Sequence, residues 1–243
     1  MTNLDHRSKL ALPLIQPRNP RDSILSASTP ATRARFTALS DDARARWLDP
    51  AEIEFSEHGF ENASLNRIIA AAGESKGRTY HYFADKGELF RATLERSLAR
   101  LGRFDAQAEA LAGAARDAYW ARIAALCRRL AEALQQDERL ACLVRTLHLE
   151  AAAQRACAEP LAQLRLQIES MLASGQAAAA VRNDLPLALL ADVALSLIVT
   201  VDRWFAMHAS ALDKREAARL SEGAFSLLMA PLLPTGNPGK TNP

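Results

Sequence analysis

Apolar residues recur every three or four positions along most of this chain, which is the spacing of one face of an α-helix. Beyond about residue 103 such stripes follow one another closely. The first contains Tyr119, Ile123, Leu126, Leu130 and Leu134, and the next contains Leu140, Leu143, Leu147 and Ala151. We find no run with the strict alternation of a half-buried β-strand. The pattern therefore predicts an all-α protein.

Short helices are predicted between residues 40 and 90, because capping residues and glycines alternate there. Gly59 and Gly73 favour the left-handed turn that ends a helix. Pro50 interrupts the first helix, which therefore either kinks or splits. Serine and aspartate are preferred at helix N-caps, and the predicted N-caps are Ser40, Ser64, Ser75 and Asp85.

The chain divides into four predicted regions. Residues 1–39 contain four prolines, show no sustained period, and carry six basic against two acidic residues, so we expect a mostly disordered basic arm. Such an arm attracts DNA of any sequence, although a solvated tail has the same composition. Residues 40–90 form the domain of short helices. Residues 91–234 form a larger helical domain, and 235–243 a flexible tail.

Composition limits the class of protein only loosely. Hydrophobic residues make up 49% and charged residues 24%, and the formal net charge of +2 is too small to indicate nucleic-acid binding by itself. Cys127, Cys142 and Cys157 are widely separated, which predicts buried, reduced thiols, with redox sensing as the alternative. We see neither a signal peptide nor an apolar run of about 20 residues, so we expect a cytoplasmic protein without a membrane span.

The short helix after Ser75 has almost no apolar surface to bury. Thr79 and Phe83 are expected to point inward, which leaves its basic and aromatic side chains facing water or a ligand. A helix, a glycine turn and a second short helix have the spacing of a helix-turn-helix. An α-helix fits the major groove of B-DNA, where each base pair presents a distinct pattern. The sequence thus predicts a DNA-reading helix; a surface helix with basic residues by chance is the alternative.

The segment FSEHGFENASLNRIIAAAGESKGRTYHYFADKGEL resembles the DNA-binding signature of the tetracycline-repressor (TetR) family of bacterial regulators. The resemblance covers residues 42–90. It implies a homodimer with one reading head per subunit: an N-terminal three-helix helix-turn-helix domain, followed by a larger helical domain for effector binding and dimerisation. The matching positions are Phe55, Gly59, Phe60, Ser64, Ile68, Ala70, Ala72, Gly73, Ser75, Lys76, Gly77, Tyr80, His81, Tyr82, Phe83, Lys86 and Leu89.

The resemblance also implies which residues contact DNA. The residues nearest the bases would be Lys76, Gly77 and Tyr80. The residues on phosphates would be Ser64, Arg78, Tyr82 and Lys86, and Ser75 and His81 complete the predicted DNA-binding set. The sequence departs from the family at Pro50, Glu74, Arg78, Thr79 and Gly87. We expect none of these departures to remove the reading head, but those other than Pro50 leave the operator sequence unpredictable.

The two C-terminal helices are predicted to join two subunits. The helix from Leu187 to His208 is apolar nearly all round, so it needs cover on several sides. The last helix carries small residues, Ala217, Ser221 and Ala224, that allow close packing. We therefore predict a four-helix homodimer interface built from the last two helices of each subunit.

A polar stripe along the Leu187–His208 helix is a candidate wall of an effector cavity. A partly wetted stripe or a polar pair between subunits is the alternative. Arg145 and His148, three residues apart, would clamp an anionic ligand or else lie at a solvated rim. The sequence names no ligand. The predicted pocket residues are Trp120, Arg145, His148, Asp192, Ser196, Thr200, Arg203 and Trp204.

These patterns favour a sequence-specific transcriptional regulator associated with the nucleoid. It would be a repressor that binds a palindromic operator as a dimer and is released when a small molecule changes the spacing of the reading heads. A DNA-bound module controlled by a protein partner, without an effector, is the alternative. An enzyme is not expected, because the five histidines show no triad, metal or phosphate-loop pattern. We predict no cofactor and no metal site.

Overall fold

The computed structural model describes residues 30–100, 111, 113–208 and 211–234; the remainder of the predicted arm and the predicted tail lie outside this range. The part described is helical and contains no strand, as predicted. The helices are α1 (Pro30–Thr37), α2 (Asp41–Asn62), α3 (Leu65–Ala71), α4 (Lys76–Tyr82), α5 (Lys86–Ala99), α6 (Arg116–Gln136), α7 (Glu138–Leu149), α8 (Ala151–Ala156), α9 (Ala158–Ala177), α10 (Leu187–His208) and α11 (Lys214–Met229), and a 3-10 turn follows at Ala230–Leu232.

Helix α1 lies within residues 1–39, so the prediction of disorder is wrong for Pro30–Thr37. The physical reason is Phe36, which is buried. Its ring centroid lies 4.6 Å from that of Phe83 and 6.2 Å from that of Tyr82. One buried aromatic residue in a polar stretch stabilises this short helix against the domain without producing a periodic pattern.

Helix α2 passes through Pro50 and is interrupted later. Ser40 caps its start by accepting the Ala43 N–H. The backbone leaves the helical region at Gly59, with φ of 70° and ψ of −173°, and a last turn follows. The helix is therefore not split at Pro50; it breaks at Gly59, the predicted stop, whose positive φ is one that glycine adopts without strain.

One hydrophobic core joins the short helices to the helices that follow them. Trp47, Phe55 and Phe90 are almost completely buried at its centre. Leu143 of α7 and Cys157, just after α8, belong to the same core. The reading head therefore packs directly on the C-terminal helices.

A second core lies between α6, α9 and α10. Tyr119 is buried within it and donates its hydroxyl to the carbonyl of Met171 at 3.0 Å. A Cβ on Gly175 would lie 2.6 Å from the Tyr119 ring and would also collide with Val181. A glycine is thus required for α9 to approach these side chains. Leu190 and Ala191 of α10 complete the core from the other side.

The predicted C-terminal helices form at the predicted positions. Helix α10 has the predicted bounds, and Asp213 caps α11 by accepting the Glu216 N–H at 2.8 Å. Within the described residues, no helix has the length and hydropathy needed to cross a bilayer. Cys157 is buried, as predicted, and its pKa is raised to about 12 by that burial. Cys127 and Cys142 are only partly buried.

Candidate nucleic-acid interface

Helices α3 and α4 form the predicted helix-turn-helix. Ser64 caps α3 by accepting the Arg67 N–H, and Ser75 caps α4 by accepting the Arg78 N–H. Gly73 in the turn has a φ of +66°. The caps and the glycine turn are therefore those that the sequence predicts. As caps, Ser64 and Ser75 use their hydroxyl oxygens as acceptors, so each hydroxyl proton can still be donated to a ligand.

The inner face of α4 is small. Thr79 is fully buried, and Phe83, directly after the helix, is 2% exposed, which confirms both inward positions. The Thr79 hydroxyl donates to the carbonyl of Ser75 at 2.9 Å, so its burial leaves no polar group unsatisfied. Burial of Thr79 and Phe83 fixes the rotation of α4 about its axis and directs its other side chains outward.

The outer face of α4 is polar, basic and aromatic. Tyr80 is 55% exposed, although a large aromatic side chain is usually buried. A Cβ on Gly77 would meet no atom within 4 Å, so the backbone there is open to close approach. Side chains of this kind donate to phosphates and base edges. The exposed predicted residues are Ser75, Lys76, Gly77, Arg78, Tyr80 and His81.

Arg78 forms an ion pair within the helix-turn-helix. Its guanidinium donates to the carboxylate of Glu74 at 3.2 Å, and the Glu74 side chain is 9% exposed. The negative charge that the sequence places in the turn is therefore compensated by a cation of the reading helix itself. Arg78, with its side chain 56% exposed, still reaches solvent.

Helix α1 braces the C-terminal end of α4, which sequence reasoning missed. The Arg35 guanidinium donates to the carbonyl of His81 at 3.3 Å. Tyr82 packs edge-on against Phe36 and Trp47, each at a centroid distance of 6.2 Å, and is therefore half-buried. The predicted phosphate contact at Tyr82 would use only its exposed part.

Lys86 is held at the connection between α2 and α3. Its ammonium donates to the carbonyl oxygens of Glu61 at 3.1 Å and Ala63 at 3.0 Å. It also lies 4.8 Å from the centroid of the Phe60 ring. Burial lowers the pKa of Lys86, while nearby carboxylates act in the opposite direction. Contact of Lys86 with phosphate stays a prediction, and the structure adds a role in holding the chain at this turn.

Glu54 ties α2 to the start of α3 from the other side. Its carboxylate accepts the Ser64 N–H at 2.7 Å and the Arg67 Nε–H at 2.9 Å. The hydrogen bond from Arg67 is the main cause that lowers the pKa of Glu54. Periodicity gave no sign of this pair, because Glu54 is a charged residue that the fold buries against α3.

The polar stripe of α10 is exposed in a single chain. Asp192 forms an ion pair with Arg165 of α9 at 2.6 Å, and this hydrogen bond lowers the pKa of Asp192. Ser196 and Thr200 donate back to carbonyls one turn earlier in α10. Arg203 is also exposed. These surroundings agree with the alternative of a wetted or inter-subunit stripe.

The other predicted pocket residues have different surroundings. The Trp120 indole donates to the carbonyl of Ala180 at 3.0 Å. His148 is buried, whereas Arg145 is exposed, and a clamp formed by the two stays a prediction. Trp204 is 40% exposed. A pocket of about 140 Å³ lies elsewhere and contains none of the eight predicted residues; it is lined by Gln176, Ala179, Val181, Arg182, Asn183 and Pro234.

Comparison with known proteins agrees with this geometry. The family described as bacterial regulatory proteins of the tetR family matches residues 48–93, which include α3, α4 and most of α2. The repressor AcnR of Corynebacterium efficiens is 38% identical over 60 residues, which are 25% of this chain and 32% of that protein. The match thus spans about a third of the length of the curated relative.

Solved structures extend the likeness in fold to the C-terminal helices. FadR of Bacillus subtilis, in complex with stearoyl-CoA, has a TM-score of 0.61 at 18% identity, covering 76% of this chain and 97% of that one. SmeT, the repressor of the multidrug efflux pump SmeDEF of Stenotrophomonas maltophilia, has a TM-score of 0.61 at 21% identity, covering 84% and 96%. The chain therefore contains a region, residues 48–93, that matches the tetR family of bacterial regulatory proteins, and its overall fold resembles that of FadR and SmeT.

Proposed function

We propose that this protein is a sequence-specific DNA-binding transcriptional regulator of the bacterial cytoplasm, acting at the nucleoid. It is a repressor that binds a palindromic operator as a homodimer and is released by a small-molecule effector. The observation that carries the proposal is helix α4, which is capped, held by two buried residues, braced by α1, and exposes Lys76, Gly77 and Tyr80 together.

DNA recognition follows from the chemistry of this helix. Lys76 and Tyr80 present donors to base edges, and the open backbone at Gly77 lets α4 enter the major groove. Arg78 and the serine caps lie where phosphates flank that groove. The contacts are too few in one head for high affinity, so a second head on the other half-site is required.

The surface of α10 and α11 supports a homodimer. Only Leu190, Ala191 and Ala194 of the long apolar helix α10 are buried in a single chain. On α11, none of the side chains described is buried, although its Leu220, Phe225 and Leu228 form an apolar stripe. Large exposed apolar surface of this kind marks an interaction site. A second copy of the same two helices would cover it.

An effector would release the protein from DNA by changing the distance between the two reading heads. Half-sites that lie one turn apart require heads spaced by about 34 Å. A ligand that binds one dimer geometry better than the other shifts the population towards it and weakens operator binding. The stearoyl-CoA held by FadR supports a small molecule in this role.

Control by a protein partner is the second candidate. The exposure of Asp192, Ser196 and Thr200 favours it, because side chains that face solvent do not line a closed cavity. A ligand screen by thermal shift distinguishes the two. An effector stabilises the protein and releases DNA, whereas a partner-controlled module responds to no metabolite.

The test of DNA binding starts from duplexes selected from a random library by the intact protein, followed by footprinting of the selected site. A protected site with two symmetric halves is expected. Lys76→Ala should lose that footprint, while Arg128→Ala, an exposed arginine of α6, is the matched control. Selection of no preferred duplex at low ionic strength would overturn the proposal.

A further inference from the structure

The helix-turn-helix domain and the C-terminal domain are joined by hydrogen bonds at the break in helix α2. Glu150 lies between α7 and α8, 90 residues after Phe60. Its carboxylate accepts the N–H of Glu61 at 2.7 Å and the N–H of Phe60 at 3.3 Å. These amides directly follow the break at Gly59, where the helix starts again and its first N–H groups lack a partner within the helix. A residue of the C-terminal domain therefore caps the last turn of α2.

The local sequence is adapted to this contact. A Cβ on Gly59 would collide with Oε1 of Glu150, so glycine both allows the positive φ and leaves room for the carboxylate. Glu150 also occupies the residue before α8, from which a side chain commonly caps its own helix, yet it makes no such bond. Its carboxylate is directed to α2 instead.

Lys86 binds the same segment with the opposite charge. Its ammonium holds the carbonyls of Glu61 and Ala63, and the carboxylate of Glu150 attracts that ammonium. Residues 60–63 lead directly into α3 and the reading helix. The N–H groups of Phe60 and Glu61 are thus held from the C-terminal domain, and the carbonyls of Glu61 and Ala63 are held by Lys86 of α5.

The segment that carries Glu150 also contacts α10. His148, two residues earlier, is buried, and its Nε2 lies 3.6 Å from the Asp202 carboxylate of α10. Helix α10 is one of the two helices that the proposed dimer uses. Three consecutive residues, 148–150, therefore connect the proposed dimer helix with the turn that supports the reading head.

We propose that Glu150 is the positioning residue through which the C-terminal domain sets the orientation of the α3–α4 reading head. This inference rests on the proposed DNA-binding function. Loss of the carboxylate leaves both domains folded, because the first core spans them. It releases the N–H groups of Phe60 and Glu61, which leaves the segment held by Lys86 through its carbonyls alone. The two heads of a dimer then no longer keep one spacing, and specific binding weakens more than binding to random duplex.

The test compares Glu150→Ala with Glu132→Ala, which removes the same charge from an exposed position of α6. The first readout uses protein without DNA: amide hydrogen exchange of Phe60 and Glu61 followed by NMR. We expect exchange at least about tenfold faster in Glu150→Ala, with Ile68 in α3 unchanged. The isosteric Glu150→Gln keeps one acceptor and should protect only one of the two amides, which tests the contact even if the alanine variant folds poorly.

The second readout is the ratio of affinities for the selected operator duplex and for a random duplex. We expect this ratio to fall about tenfold in Glu150→Ala and to stay at the parent value in Glu132→Ala. If the parent selects an operator and the ratio is unchanged in Glu150→Ala, the positioning role is wrong while the proposed function stands. If the parent selects no duplex, the proposed function fails, and the positioning role fails with it, whatever the exchange data show.

Discussion

The guanidinium of Arg78 lies 3.2 Å from the carboxylate of Glu74, one helical turn earlier at the end of the reading-head turn. This pair holds a cation of the proposed DNA-facing surface against a carboxylate that is itself almost buried. It therefore reduces the attraction of α4 for phosphate while keeping Arg78 in a fixed position.

Glu74→Gln should strengthen binding to every duplex, since it frees Arg78 for phosphate and removes one negative charge. We expect a gain of about threefold to tenfold for random duplex at low salt, and a salt slope steeper by about one unit. Affinity titrations at several salt concentrations measure both. The double variant Glu74→Gln/Arg78→Ala should lose the gain; if it keeps the gain, Arg78 is not the cause.

Tyr80→Ala should reduce sequence preference without reducing stability. The side chain is 55% exposed, so its removal should change the free energy of unfolding by less than about 0.5 kcal/mol. Loss of base contacts should cost about 1–3 kcal/mol of discrimination between operator and random duplex. Competition binding and thermal unfolding on one preparation give both values. Parent-like discrimination in Tyr80→Ala would remove Tyr80 from the reading surface.

Phe36→Ala should destabilise the protein and loosen the reading helix. Phe36 is 6% exposed and packs on Tyr82 and Phe83, so the expected loss is about 3 kcal/mol. Urea denaturation measures it. Thr37→Ala, at the neighbouring exposed position of α1, is the control and should unfold close to the parent. Equal stability of the two variants would show that α1 does not brace the domain.

The success and the failure of sequence reasoning have the same physical basis. Helices α3 and α4 were predictable because Ser64, Ser75 and Gly73 act on neighbouring residues, and local rules need no knowledge of the fold. Helix α1 escaped prediction because one buried ring, Phe36, gives no period. Glu150 gave no signal, because its partners lie about 90 residues away and only the fold brings them together.

The predicted pocket shows a further limit. A polar stripe on an apolar helix has the same periodicity whether it faces a cavity, solvent or another subunit. Asp192 pairs with Arg165 and Thr200 is exposed because α9 packs on one particular face of α10. The spacing of residues along α10 does not show which face that is. The inward positions at α4 were easier to predict, because only Thr79 and Phe83, directly after the helix, were expected to point into the core.

Acid should weaken the fold partly through Glu54. Its pKa is lowered below the ordinary value of 4.5, chiefly by the hydrogen bond from Arg67. The unfolded chain therefore binds the proton more readily than the folded one. The stabilisation is complete above pH 4.5 and is lost as pH falls through the lower folded-state pKa.

Glu54→Gln tests this contribution. The variant should be less stable than the parent at pH 7, and the difference should shrink as the pH is lowered from 5 towards 3. Urea denaturation across that range measures it. Asp192, whose pKa is also lowered, should contribute the same trend in both proteins and therefore cancel. A difference that stays constant with pH would show that the Glu54 charge is not involved.

The proposed dimer makes a sharp prediction about two exposed side chains. Met207 of α10 is 55% exposed and Leu227 of α11 is 57% exposed in a single chain. Glutamate at both positions places charges where a second copy would pack, and burial of unpaired carboxylates is costly. The parent should have the mass of a dimer by light scattering at micromolar concentration, and Met207→Glu/Leu227→Glu that of a monomer. Leu166→Glu, on α9 with the same 55% exposure, should remain a dimer. A monomeric parent would disprove the interface. If Leu166→Glu also dissociates, the dimer interface includes α9. In either case the proposed spacing of the two reading heads would need another explanation.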